Sequence, residues 1–395
     1  MNQHTVDLGN LGFDQGAHLL IKRALKRSPE CGGVHVKGCA DHLWVHLGAW
    51  CRRHGHRFDK ATCTVIKGGE INSRLIGAQR AGSANAHTAG AVADHPSATW
   101  GLAARGAVVE AGMPPFHFSL DDKDSVWTDD AAQLYKKAAA AQWDPETAID
   151  WNAPINHPEE VEDAIVQVMT YLIENETVAL LVPAQFLAKV HPHFREIMQL
   201  LAIQTADEAR HIEVFTRRAT LNRTQLGLST VGGQTSLRTL LEEPDYALAM
   251  FLLSVLGEGS FLSLLWFLSE HAPDPITRQV ASLSAQDEAR HVAFGLAHLA
   301  RHAQRDPGLH ERLARAIHDR FDALSQTAGL NEEVFDALVL LAAGSWAHDD
   351  IASGWQAVSE LKEKMYTGRV IRLERLGFSS DEAQHLSGLH TRNFM

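Results

Sequence analysis

Cysteine, tyrosine and net positive charge are all scarce in this 395-residue chain. There are four cysteines, Cys31, Cys39, Cys51 and Cys63, all in the first 63 residues and with no C-x-x-C spacing. That excludes a disulfide framework for the bulk of the chain and leaves free or buried thiols as the expectation, ahead of a zinc site shared with His35, His42, His54 or His56. Lys and Arg total 36 against 48 Asp and Glu, a formal net charge of −12. An excess of that sign argues against nucleic acid or an anionic membrane surface as the main partner. No uninterrupted apolar run reaches transmembrane length. The start, MNQHTVDLGN, lacks a basic stretch followed by an apolar one, so no secretory signal is visible and a cytoplasmic location is expected. Histidine is plentiful instead, at 23 residues, which raises the weight of metal chemistry.

Against this background one pentapeptide stands out. Asp-Glu-Ala-Arg-His occurs at 207–211 and again at 287–291. Each copy carries a Glu and a His three residues apart, Glu208 with His211 and Glu288 with His291. On a helix such residues share a face, so each pair can grip one ion, and two facing pairs make a dinuclear site.

The rest of the chain sorts into four stretches. Residues 1–70 alternate short extended and amphipathic pieces: Thr5–Leu11 extended, Ala17–Lys26 helical, Gly33–Lys37 a strand, His42–Arg53 helical and Ala61–Lys67 a strand. That pattern predicts a small α/β unit. The order of elements, with AHLLIKRALKRSPECGGVHVKG and AWCRRHGHRF before a strand, resembles the TusA-type sulfur carriers. Those carriers have Cys-Pro at the start of the first helix. Here Gly12 to Gly16 contains no cysteine, so a docking or structural role is expected rather than sulfur transfer. Residues 71–125 are rich in Ala, Gly and Ser, with Met113-Pro114-Pro115 as a helix breaker, and read as a linker or irregular layer.

Residues 126–325 are helical. A short helix over Asp129–Gln142 precedes four long ones at about 159–190, 192–220, 244–270 and 275–304, with 221–242 connecting the two halves. The same helix-turn-helix unit is thus used twice, each ending in DEARH. Further helices are predicted at 308–327, 331–345, 347–365 and 380–388, so 326–395 forms a helical extension.

A dinuclear cage needs two more carboxylates. The third long helix offers Glu258 among apolar residues, and a lone buried carboxylate is costly unless paired or metal-bound. The first offers Glu174 and Glu176. Glu176 is preferred because its stripe of Ile165, Val168, Met169 and Leu172 is the more continuous. Spacing agrees: Glu176 precedes Glu208 by 32 residues and Glu258 precedes Glu288 by 30. Four carboxylates would balance two divalent cations, with two neutral imidazoles completing the set, and such ligands suit iron or manganese. Asp207 is placed to accept a hydrogen bond from His291 and Asp287 from His211, with Arg210 and Arg290 neutralising the aspartates.

The doubled D-E-x-R-H resembles the ferritin-like di-iron carboxylate superfamily, above all the hydroxylases of bacterial multicomponent monooxygenases and the acyl-carrier-protein desaturases. Ala138–Trp151 (AAAAQWDPETAIDW) is similar to a lead-in of that group. The resemblance implies a mainly α, ferritin-like four-helix bundle with Glu176, Glu208, His211, Glu258, Glu288 and His291 as ligands of two iron ions, or a manganese/iron pair. It also implies O2 as co-substrate, a small organic substrate, and electrons from a ferredoxin or reductase. A homodimer is left open. Two positions depart from familiar relatives. Phe261 and Leu262 stand where oxygenases and desaturases carry Thr, and Phe215 where ribonucleotide reductase small subunits carry a radical Tyr. A ferroxidase, storage or peroxide-handling protein, or a non-catalytic scaffold, is the alternative. His298 is expected in the core rather than as a seventh ligand, and Leu264, Leu265, Trp266 and Phe267 as packing.

Overall fold

The computed structural model describes residues 4–29, 31–68, 75–325 and 332–390. Residues 1–3, 30, 69–74, 326–331 and 391–395 lie outside the described residues; they fall within the expected α/β unit, the linker, the 308–327 and 331–345 helices and the C-terminal extension. The chain forms two compact units, Met1–Ala91 with Thr99–Phe116, and Val92–Ala98 with His117–Met395. The change from one to the other runs through the segment expected as a linker.

The first unit contains β1 (His4–Asp7), α1 (Ala17–Arg27), β2 (Gly33–Lys37), α2 (Leu43–Arg53), β3 (Arg57–Asp59) and β4 (Thr64–Ile66). The sheet order is β1-β2-β4-β3. β1 runs parallel to β2 with Val6 opposite Val36, and β4 is antiparallel to both β2 and β3, with Val65 opposite Val34 and Phe58. Alternation puts Val34 and Val36 on the buried face, where they meet Ile21, Leu25, Leu43 and Leu47 from the two helices. β3 is absent from the sequence reading because three residues are too short for a period-2 signal. A two-stranded ribbon, β5 (Gln79–Arg80) with β6 (Val108–Val109), belongs to the same unit.

The second unit is helical. After α3 (Ala131–Ala140) come the four long helices: α4 (Glu159–Leu187), α5 (Arg195–Ala219), α7 (Tyr246–His271) and α8 (Pro275–Ala303). Their starts have visible causes. Pro158 precedes three acidic residues in the first turn of α4, where carboxylates meet the positive helix end. Asp245 and Asp274 cap α7 and α8 by accepting from Leu248 N and Thr277 N. The connecting stretch holds one more helix, α6 (Val231–Leu241), capped by Thr230. Gly232 and Gly233 in its first turn lower helix propensity and hide it from a pattern search. Within α7, residues Phe251–Glu258 are π-helical.

α9 (Leu309–Ser325), α10 (Glu332–Ala343), α11 (His348–Arg375) and α12 (Ser380–His390) complete the unit. α10 packs on α4 and α11, and α11 on α7. α11 runs ten residues beyond its predicted end at 365, because its buried stripe continues through Arg369, Arg372 and Leu373. The core joins Ile165, Met169 and Leu172 of α4 with Phe215 of α5, Leu264 and Leu265 of α7 and Val280 of α8. Trp266 departs from the core expectation and is exposed; Trp346, expected with Ala337, Leu338 and Leu341 as a docking stripe, is exposed beyond the end of α10. α4 and α7 are long and apolar enough to cross a membrane by length and composition, but 61 % and 78 % of those windows are buried inside the protein, as core helices are.

Two glycines mark close approaches. A Cβ on Gly295 of α8 would lie 2.4 Å from Ser254 Cβ of α7. One on Gly259 would lie 2.4 Å from Arg372 Nε, whose guanidinium crosses α7 and donates to Val255 O at 2.7 Å.

Candidate metal centre

The four long helices bring the six predicted residues to one place. Glu176 comes from α4, Glu208 and His211 from α5, Glu258 from the end of the π-helical stretch of α7, and Glu288 and His291 from α8. All are buried, none more than 5 % exposed. They form two overlapping quartets, Glu176/Glu208/His211/Glu288 and Glu208/Glu258/Glu288/His291, each with ligand atoms within 4.8 Å of one another. Glu208 and Glu288 belong to both, the position of bridging carboxylates. Glu176 with His211 and Glu258 with His291 stand at the two ends. Glu174 is half-buried and belongs to neither quartet.

The imidazoles are aimed. His211 Nδ1 lies 3.2 Å from Glu208, 3.2 Å from Glu288 and 3.7 Å from Glu176. His291 Nδ1 lies 3.0 Å from Glu208, 3.4 Å from Glu288 and 3.9 Å from Glu258. Their Nε2 atoms point outward: His211 to Asp287 Oδ2 at 3.2 Å, and His291 to Asp207 Oδ2 at 3.3 Å. An Nε2–H donated to an aspartate leaves the Nδ1 lone pair facing the cage.

Arginines tie the two aspartates together. Arg210 Nη2 donates to Asp207 at 2.5 Å and to Asp287 at 2.9 Å. Arg290 donates to Asp287 and stands 4.0 Å from Asp207. Three partners have no counterpart in the sequence reading. Gln142 donates to Asp207 at 2.7 Å and accepts from Arg210 at 2.6 Å. Trp143 Nε1 donates to Asp287 at 2.8 Å, and the Arg210 guanidinium lies 4.7 Å from its ring. Gln204, one turn before Glu208, donates to Glu258 Oε1 at 2.7 Å. Gln142 and Trp143 lie in the lead-in segment, but only the tertiary fold turns them toward aspartates 65 and 144 residues away.

The cage is poor in positive charge. Burial and the charge of Glu208 push Glu176 up to about 8. Burial and the charge of Glu288 push Glu258 well above the usual carboxylate range. Burial opposes charging of His211 and His291, but the surrounding glutamates outweigh it and hold both well above the usual imidazole range. Burial also opposes ionisation of Asp207, yet the bonds from His291, Gln142 and Arg210 keep it far below. The outer aspartates are thus anions while the inner groups compete for protons. One or both carboxylate oxygens of Glu176, Glu208, Glu258 and Glu288, and Nδ1 of His291, are buried with no hydrogen-bond partner among the described residues. Inward orphaned oxygens and nitrogens are costly unless a cation meets them, and this donor set fits two divalent ions of the hard or borderline kind.

Other predicted positions resolve simply. Phe215 is fully buried beside His211. Tyr171 stacks on Phe261 at 5.6 Å. Ser260 donates to Leu256 O and accepts from Arg369, away from the cage. His298 is buried among Tyr246, Phe294 and His302, outside both quartets.

No protein-family model matches the chain, and no curated protein does. Solved structures do. An R2-like ligand-binding oxidase variant with an aerobically reconstituted Mn/Fe cofactor is similar over 64 % of this chain and 95 % of its own, at 17 % identity and a TM-score of 0.51. Another variant, with an aerobically reconstituted Fe/Fe cofactor, gives 19 % identity, 64 % and 95 % coverage and a TM-score of 0.50. A third, with an anaerobically reconstituted Mn/Fe cofactor, gives 19 %, 64 % and 94 %, and 0.50. The chain therefore carries the mainly α, ferritin-like fold of the R2-like ligand-binding oxidases.

Proposed function

We propose that the protein is a dinuclear iron, or manganese/iron, oxidase that uses O2 to oxidise a small organic substrate. The observation that carries this reading is the six-residue cage with inward-facing, unbonded carboxylate oxygens. The similar structures carry Fe/Fe or Mn/Fe cofactors, in keeping with ligands that are all carboxylate and imidazole. When bound, the metal pair supplies electrons to O2 and the oxidising power. The chain's own residues do the rest. Glu208 and Glu288 fix the spacing of the two ions, and Glu176, His211, Glu258 and His291 fix the ends. Asp207 and Asp287 hold the imidazole tautomers. The wall of Leu252, Leu256 and Phe261 beside Glu258 keeps bulk water from the site.

Turnover requires electrons from outside the chain, from a ferredoxin or a reductase. Free thiols at Cys31, Cys39, Cys51 and Cys63 suit a reducing, cytoplasmic setting. Anaerobic loading with Fe(II) followed by metal analysis tests the reading. Two irons per chain are expected, and a single O2 pulse should be consumed with a transient absorption band. Fewer than about one iron per chain, or an undiminished content in Glu208→Ala, refutes it. A growing mineral core on continued loading would assign the same ligands to iron storage instead.

A further inference from the structure

Two cavities meet beside the cage. The inner one has Glu176, Glu258 and Glu288 at its floor and Leu237, Leu256 and Phe261 among its walls. Its free volume is about 30 Å³, room for one or two waters in this conformation. The outer one is wider, about 270 Å³, and carries three guanidinium groups, Arg312, Arg315 and Arg320, against Glu243 and Asp319. Leu252 and Arg320 belong to the walls of both.

Arg320, on α9, is the unusual member. It is 7 % exposed, and it donates to Thr239 Oγ1 at 2.6 Å and Ser236 Oγ at 2.7 Å, both on α6. Burial pulls it down to about 10, so its charge is costly where it stands, although a guanidinium stays protonated at neutral pH. The inner chamber therefore has a cation at its mouth, apolar side walls and carboxylates at its floor. An anionic group is drawn to the mouth and repelled from the floor. The planar fork of an arginine matches a carboxylate better than any other small anion-accepting geometry available to a side chain. Leu252 lies on the π-helical stretch of α7, an irregular hydrogen-bonding pattern of the kind associated with functional movement, so the wall that must give way for a larger occupant is the one least regular.

We propose that Arg320 and Leu252 form a gate between the two chambers and that the gate selects an organic anion, its carboxylate held on Arg320 and its apolar body directed inward toward Glu176, Glu258 and Glu288. This names the substrate class of the proposed oxidase and rests on that reading for the end of the molecule that reacts; the anion preference itself requires no metal.

Titration calorimetry on the metal-free full chain tests the gate, with hexanoate as probe and hexanamide as its neutral match. Hexanoate should bind at least about tenfold more tightly than the amide, as expected for a charge-assisted pair over a neutral one. Arg320→Gln should weaken hexanoate about tenfold and the amide less than about twofold. Leu252→Trp, which fills the gate, should weaken both. If Arg320→Gln does not fold, Ser236→Asp serves, since a carboxylate beside Arg320 should abolish the preference in the same way. Equal binding of the two probes by the wild type, or unchanged hexanoate binding in Arg320→Gln and Ser236→Asp, overturns the gate. Iron content measured in parallel separates the two readings. No anion preference with two irons per chain refutes the gate alone. A preference lost in Arg320→Gln, with no iron taken up by the wild type, refutes the cluster alone.

Discussion

Replacing Glu258 with Gln separates the two duties of a buried carboxylate. Without a cation, burial and the neighbouring charge of Glu288 hold Glu258 far above its ordinary range, so at neutral pH a neutral amide replaces a neutral acid of the same shape. The bond from Gln204 Nε2 to Oε1, 2.7 Å long, can pass to the amide oxygen. The metal-free variant should therefore lose less than about 1 kcal/mol, the worth of one adjusted hydrogen bond. With Fe(II) the outcome differs, because an amide cannot supply the anionic ligand at the Glu258/His291 end. At free metal about 100 times Kd, each filled position stabilises the fold by about 2.7 kcal/mol. At roughly 2 °C per kcal/mol for a large unit, that is about 5 °C for each ion. Anaerobic thermal unfolding followed by circular dichroism should show a rise of about 10 °C on loading wild type and no more than about 5 °C on loading Glu258→Gln, with metal content falling from two to one. Glu174→Gln is the control, since Glu174 lies outside both quartets, and it should behave as wild type. The reasoning is refuted if Glu258→Gln takes up two irons with the full thermal gain, or if its metal-free form melts more than about 10 °C lower.

Three further outcomes follow from the same geometry. Metal must displace protons from Glu176, pushed up to about 8, and from the two raised imidazoles; a group that must lose a proton binds more weakly as pH falls below its pKa, so Fe(II) affinity should drop steadily from pH 8.5 to pH 6, and a flat profile would contradict the protonated cage. Asp287→Asn disturbs the partner of His211, Arg210 and Trp143 at once, and competition with a chelator should report a metal affinity about 10- to 100-fold weaker. Arg218 is fully buried and bonds Glu162 through two contacts of 2.7 and 3.0 Å and Asp274 at 2.9 Å; Arg218→Met strands two carboxylates and should cost about 3–5 kcal/mol, read by chemical unfolding, while leaving iron content at two per chain.

How much of this was legible beforehand depends on the kind of signal. The cage residues were readable because each satisfies a local rule: a three-residue spacing on a helix, repeated, and an acid stranded in an apolar stripe. Glu176 was separable from Glu174 for the same reason, since only one of them lies on the stripe that packs inward. Gln142, Trp143 and Gln204 were not separable from ordinary helix-flanking polar residues, because nothing local marks a side chain whose partner is far away in sequence. Nor could spacing reveal Arg320, whose meaning depends on α9 crossing α6. α6 itself was lost to its two glycines, and the π-helical stretch to a sequence that reads as a plain apolar helix.

The reciprocal aspartates have one more consequence. Asp207 serves the histidine of the other repeat and Asp287 returns the service, so the two halves relate as partners do across a two-fold axis, with residue i meeting j and j meeting i. That pseudo-symmetry is broken at the first step outward. Gln204 bonds Glu258, while the matching place before Glu288 is Ser284, too short to reach as an amide does. The two ion positions are therefore chemically distinct although their ligands are the same. A pair of unlike metals, or two like ones filled in a fixed order, can be told apart by this chain.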